Sequence, residues 1–127
     1  MTLPNRFTYE GKFPSRNQAE NAARTHWAAG YKLKKEYTDS VAWQAKAQNV
    51  GSYSKAHLTI TFVEPNKRRD YDNVISGLKY LLDGLVVAKV IPDDRPKYID
   101  ITIKPIQVDK DNPRVEVVIE EITNETP

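Results

Sequence analysis

The sequence predicts an α+β domain, a mixed four-stranded sheet with two main helices packed on it. Two observations carry this expectation. Short segments alternate apolar with polar residues at the period of two that a half-buried strand requires. Longer segments repeat apolar residues every three to four positions, as one face of a helix does. The elements follow the order β, α, β, α, β, β within 127 residues. That length suits one domain, so residues 1–127 are read as a single unit.

The first strand covers residues 6–13 (RFTYEGKF), with Phe7, Tyr9 and Gly11 set against polar neighbours. The stretch PSRNQAENAARTHWAAG is polar and small, and its alanines leave it open between loop and short helix. From Tyr31 to about Gln48, Leu33, Tyr37, Val41 and Ala45 recur every four residues on an amphipathic helix, with Lys32, Lys34, Lys35 and Lys46 mostly off the stripe. Gly51 and Ser52 end it. His57–Val63 (HLTITFV) alternates Leu58, Ile60 and Phe62 with polar residues, the pattern of a strand. Pro65 stops it, since proline cannot donate to a ladder. A second helix opens at Asp72 or its neighbour and runs to Val87 or Ala88, with Val74, Ile75, Leu78, Leu81, Leu82 and Leu85 as its core face. After Pro92, Tyr98–Ile103 and Val115–Ile119 are two more strands, separated by a turn over Asp109–Pro113, and the tail from Ile122 frays.

Composition narrows the chemistry. Apolar residues make up 39% and charged residues 28%, ordinary for a globular chain. No apolar run reaches the roughly 18 to 20 residues that span a bilayer, and the first residues lack a secretory leader's pattern, so the expected location is the cytoplasm. Cysteine is absent, which removes disulfides, thiolate nucleophiles and cysteine-bound zinc. The two histidines, His26 and His57, stand alone. Metal chemistry here would therefore use carboxylates and a hard cation, magnesium or manganese in its place. Charge is divided: residues 1–69 hold 12 Lys/Arg against 5 Asp/Glu, and residues 70–127 hold 7 against 12. A basic half suits a polyanion partner but does not by itself establish one.

The informative stretch is NKRRDYDNVISGLKYLLDGLVVAKVIPDDRPK, residues 66–97. A basic run (Lys67, Arg68, Arg69) leads into Asp70 and Asp72 at a strand-to-helix junction, and Asp93-Asp94 follows the helix. Three carboxylates meeting there would bind one or two magnesium ions, with the cations holding flanking phosphates. Pattern alone leaves this open against plainer roles. Asp70 or Asp72 also suits a helix N-cap, Asp93-Asp94 a turn, and the basic triplet a solvated face. At about 100° per residue, Asp72, Ser76, Lys79 and Asp83 share one polar stripe. Lys79 then either faces a phosphate or simply pairs with Asp83.

The run RRDYDNVISGLKYLLDGLVVAKVIPDD resembles the signature of RusA-type Holliday junction resolvases, and PSRNQ is similar to that family's early Pro-Ser-x-Asn segment. The resemblance extends over nearly the whole chain in element order and is specific from Arg68 to Asp94. It implies a RusA-like homodimer that cuts four-way DNA junctions in recombination and repair. Asp70, Asp72 and Asp94 would be the metal ligands and catalytic residues, with Asp93 a lesser contributor. The family's lysine, one turn past the second aspartate, is Ser76 in this sequence. The Leu78-Lys79 pair, like that of related phage-type sequences, makes Lys79 the substitute. Lys67, Arg68, Arg69, Arg16 and Asn17 would contact DNA, and no membrane is involved. The alternatives are a non-catalytic junction- or single-strand-DNA-binding protein of prophage origin, or a prophage structural or regulatory protein.

Around the polar segment after the first strand, Arg16, Asn17, Arg24, His26, Trp27 and Lys32 would grip phosphates or stack on bases. Large aromatics are mostly buried, which favours Trp27 as an anchor to the core. His26 suits a structural hydrogen bond, Trp43 the core or a dimer interface, and Lys97 solvent. His57 is given no role.

Overall fold

The alternation of Leu58, Ile60 and Phe62 becomes an interior strand of the sheet. The computed structural model describes residues 5–123. Its elements are β1 (Asn5–Glu10), α1 (Arg16–Thr25), α2 (Trp27–Ala47), β2 (Ala56–Glu64), α3 (Tyr71–Ile75), α4 (Leu78–Val87), β3 (Ile99–Ile103), β4 (Gln107–Val108) and β5 (Arg114–Glu121). The sheet order is β1-β5-β2-β3, with β4 pairing on β2. β5 is antiparallel to β1 and β2, whereas β3 and β4 run parallel to β2. The sheet is thus mixed, as expected. Parallel neighbours need a crossover, and the segment carrying α3 and α4 supplies it between β2 and β3.

Register turns the alternation into rows. Phe7 lies opposite Val117, Val117 opposite Ile60, and Ile60 opposite Ile103; Tyr9, Val115 and Phe62 form the next row. Phe7, Ile60, Phe62, Val115 and Val117 are all buried, each worth about 1.5–3 kcal/mol of apolar transfer. Val41 and Ala45 of α2 and Leu81 and Leu85 of α4 complete this core. The other face carries Arg6, Thr8, Thr59, Thr61 and Glu116, which line a polar depression with Lys104 and Gln107. α2 and α4 meet where Gly84 faces Val41. A Cβ on Gly84 would overlap that side chain and come within 2.9 Å of the Thr38 carbonyl.

The elements differ from expectation in four places. The fifth strand, β4, is two residues long, too short for any period to show. The first strand stops at Glu10, because Gly11 turns at φ 113° and donates to the Pro113 carbonyl. Phe13 leaves the sheet and stacks on Tyr9, ring centres 4.4 Å apart. The polar segment after it is a true helix, closed by a capping box between Ser15 and Gln18 and separated from α2 by extended His26. Finally, the second helix is two, α3 and α4. At Gly77 the amide bonds to the Val74 carbonyl, three residues back, and a Cβ there would lie 2.8 Å from Phe13. The Phe13 ring occupies the place a side chain would need. Among the described residues, no helix is long and apolar enough to cross a membrane.

Candidate active site

The Asp70–Asp72 junction is held by an ion pair that periodicity does not reveal. Glu64, the last residue of β2, is buried, and it receives Nε and Nη2 of Arg69 at 2.8 and 3.0 Å. Arg69 Nη1 donates to the Phe13 carbonyl at 2.9 Å. This corrects the expectation that Arg69 binds phosphate. With 18% of its side chain exposed, it is committed to the fold, fastening the turn between β2 and α3. Lys67 and Arg68 remain exposed, and the Asn66 side chain orders the turn by accepting from the Arg68 amide at 2.9 Å.

Asp70 is the N-cap of α3. Its Oδ1 accepts from the amide and the side chain of Asn73, both at 3.1 Å. Asp72, in the first turn, points to solvent and meets Arg16, whose Nη1 donates to Oδ2 at 3.1 Å. The same guanidinium reaches Glu20 at 3.0 Å. Hydrogen bonds to Glu20 and then Asp72 raise Arg16 above its ordinary value. The Asn17 amide donates to the Asn73 side chain at 3.4 Å. Residues 56 positions apart are thereby joined at one corner. The capping box sets the start of α1, so Arg16 and Asn17 occupy its first turn.

Lys79 is exposed and lines a groove with Arg16, Ala19, Glu20, Ala23, Ser76 and Tyr80. The spacing had left Lys79 open to pairing with Asp83, but Asp83 lies 3.7 Å from Lys34. Among the described residues Lys79 has no ion-pair partner. On the other flank of Asp70, a cavity of about 400 Å³ is bounded by Asn66, Lys67, Tyr71, Ile106 and Val108. β4 builds its far wall, and no signal of period two marks that segment.

Asp93 and Asp94 are elsewhere. They border a groove of about 410 Å³ with Tyr31, Lys34, Asp39, Asp83, Val86 and Val87, beside the last turn of α4. A helix of ten residues is about 15 Å long, and Asp70 and Asp72 lie before its first turn. Among the described residues no three acidic or histidine side chains come together to hold a metal ion. The expected convergence of Asp70, Asp72 and Asp94 does not occur within one chain. Asp93 instead accepts from the Asp94 amide and from Arg95, both at 2.7 Å. The amide bond, more than the guanidinium, holds its carboxyl below the usual range.

Trp27 overturns another expectation. It is 76% exposed, and Trp43 is 71% exposed, so neither anchors the core. His26 makes a structural hydrogen bond, Nδ1 accepting from the Ala28 amide at 3.1 Å. His57 pairs with Thr102 across the sheet at 2.8 Å, and Lys97 lies over the Tyr98 ring. No protein-family model matches this chain, and no curated protein matches it significantly.

Proposed function

We propose that this chain is a divalent-metal-dependent endonuclease of the RusA type, which hydrolyses a phosphodiester near the branch point of a four-way DNA junction during recombination and repair. The observation that carries this reading is the contact of Asp72 with Arg16, whose groove Lys79 also lines, beside Asp70 and the Asn17–Asn73 bond at the same α1–α3 corner. A carboxylate pair alone repels a phosphate; one flanked by exposed cations can accept it. Asp70 and Asp72 would hold magnesium, or manganese in its place, whose chemistry when bound is to polarise the phosphodiester and generate hydroxide from water.

Two carboxylates from one chain are a poor cage for a cation that prefers six oxygens. Asp94 can supply a third only from a second copy, because its own chain holds it beyond the far end of α4. The active species is then a homodimer, whose twofold symmetry matches two symmetric cuts. In this reading Arg16 exchanges Asp72 for a flanking phosphate. Lys79 stabilises charge on the leaving 3′ oxygen, and Lys67 and Arg68 hold the backbone on either side. The test is a synthetic four-way junction incubated with and without magnesium. Paired nicks near the branch are expected only with the cation, and linear duplex stays intact.

A second reading has its own support. Arg16 already neutralises Asp72, and Ser76 stands where the family carries lysine. Both suit a protein that binds junctions or single strands without cutting. Junction binding with no cleavage at any magnesium concentration selects it.

A further inference from the structure

We infer that the His26–Trp27 corner is a stacking platform for an unpaired nucleobase of a DNA strand that follows the α1 groove. Trp27 opens a helix of 21 residues, so its backbone is rigid, yet its ring is 76% exposed. The His26 ring is pinned by its bond to the Ala28 amide and lies 21° from the plane of Trp27, centres 6.0 Å apart. Tyr31, one turn further on the same face, is 64% exposed. Exposed aromatics of this kind stack bases without regard to sequence.

Charge identifies the occupant. From Arg16 to Lys35 there are five Lys/Arg and one acid, Glu20. Arg24, Lys34 and Lys35 lie beside Glu20, Asp83 and Asp39, while Lys32 on this segment and Lys79 across the groove have no ion-pair partner among the described residues. The net positive charge of this segment and the unpaired Lys32 and Lys79 favour a polyanion over a second copy carrying the same cations. The groove bordered by Arg16, Ala19, Glu20, Ala23, Ser76 and Lys79 follows α1 away from Asp72, and its one acid, Glu20, is already held by Arg16. The ten residues of α1 span about 15 Å, long enough to follow a short stretch of a single strand. A base inside a duplex is stacked on both faces, so the platform selects strands opened at a branch over duplex interiors. From the reading above, the inference takes only that the strand enters at Asp72.

The test uses Trp43→Phe, which leaves Trp27 as the sole tryptophan. Without divalent cations, its emission is titrated with a junction carrying unpaired nucleotides at the branch, an oligothymidylate and a blunt duplex. Quenching by the first two is expected. In the wild-type background Trp27→Ala weakens their binding about tenfold, Trp27→Phe recovers most of it, and duplex affinity is unchanged. Equal quenching by duplex, undiminished affinity in Trp27→Ala, or a shift of that variant's monomer–dimer balance would overturn the inference. If the junction is cut but Trp27→Ala binds like wild type, the platform fails and the nuclease reading stands. If nothing is cut yet Trp27 still selects unpaired DNA, the reverse holds.

Discussion

Asp70 and Asp72 sit where three separate segments have been fastened together, whereas Asp93 and Asp94 are ordered chiefly by their own turn. At the first pair, Glu64 and Arg69 lock the approach, Asn73 orients Asp70, and Arg16 reaches Asp72 from another helix. At the second, Asp93 is satisfied by its immediate neighbours, and Asp94 is left exposed. The contrast separates two tasks. The first pair is built into a surface that already holds Arg16 against Asp72 and an exposed Lys79 nearby. The second is a self-contained turn that can be offered to another molecule without disturbing the fold.

The largest expected effect tests whether the two regions serve one reaction. Asp72→Asn and Asp94→Asn should each lower junction cleavage on the order of a thousandfold while DNA binding persists. Mixing the two variants should restore cutting, because roughly one site in four then combines both wild-type acids across the dimer. Full activity of Asp72→Asn rejects the site; a mixture that stays inert rejects the assignment of Asp94 to a second copy.

The next concerns anchoring. Glu64→Ala leaves the largely buried Arg69 without its partner and should cost about 3 kcal/mol in urea unfolding, whereas Asp93→Ala should leave the unfolding midpoint nearly in place. Equal midpoints for Glu64→Ala and wild type would dissolve the contrast. A smaller effect falls on binding. Arg16→Ala should weaken junction affinity and reduce the salt slope by about one counterion. Lys79→Ala should lower kcat more than binding, and a change confined to KM would move Lys79 out of the reaction.

The smallest is a titration. A carboxyl held below its ordinary value keeps its turn ordered above pH 3.8 and releases it only as pH falls through the lower, folded value. In an NMR titration the Asp94 amide resonance should track Asp93 at that lower pH. A midpoint at or above 3.8 would contradict the turn described here.

Much of this was legible in the sequence where a single period governed a single element. Leu58, Ile60 and Phe62 announced their strand, and Val41 and Ala45 their helix face, because each buries one side against one core. What periodicity hides is packing between distant segments. Nothing local distinguishes Gly77 as the place where Phe13 interrupts a helix, or Gly84 as the seat of Val41. Glu64 reads as a strand terminator until Arg69 is seen folded back on it. The Asp70–Asp72 corner followed from a short motif, but its union with Arg16 and Asn17 is a tertiary fact. The convergence with Asp94 does not occur within one chain because α4 leads away from the Asp70–Asp72 corner and Asp94 follows its far end.

The position of β5 between β1 and β2 has a consequence for how the molecule comes into being. Asn5 pairs with Ile119 and Leu58 with the same residue, so neither early strand has its main partner until residues 114–121 have been synthesised. Such distant pairings fold slowly. The nascent chain must therefore carry β2, with its row of bare apolar side chains and unpaired edges, through translation. Overexpression near 37 °C should favour insoluble material, and slower synthesis at low temperature should recover the native fold.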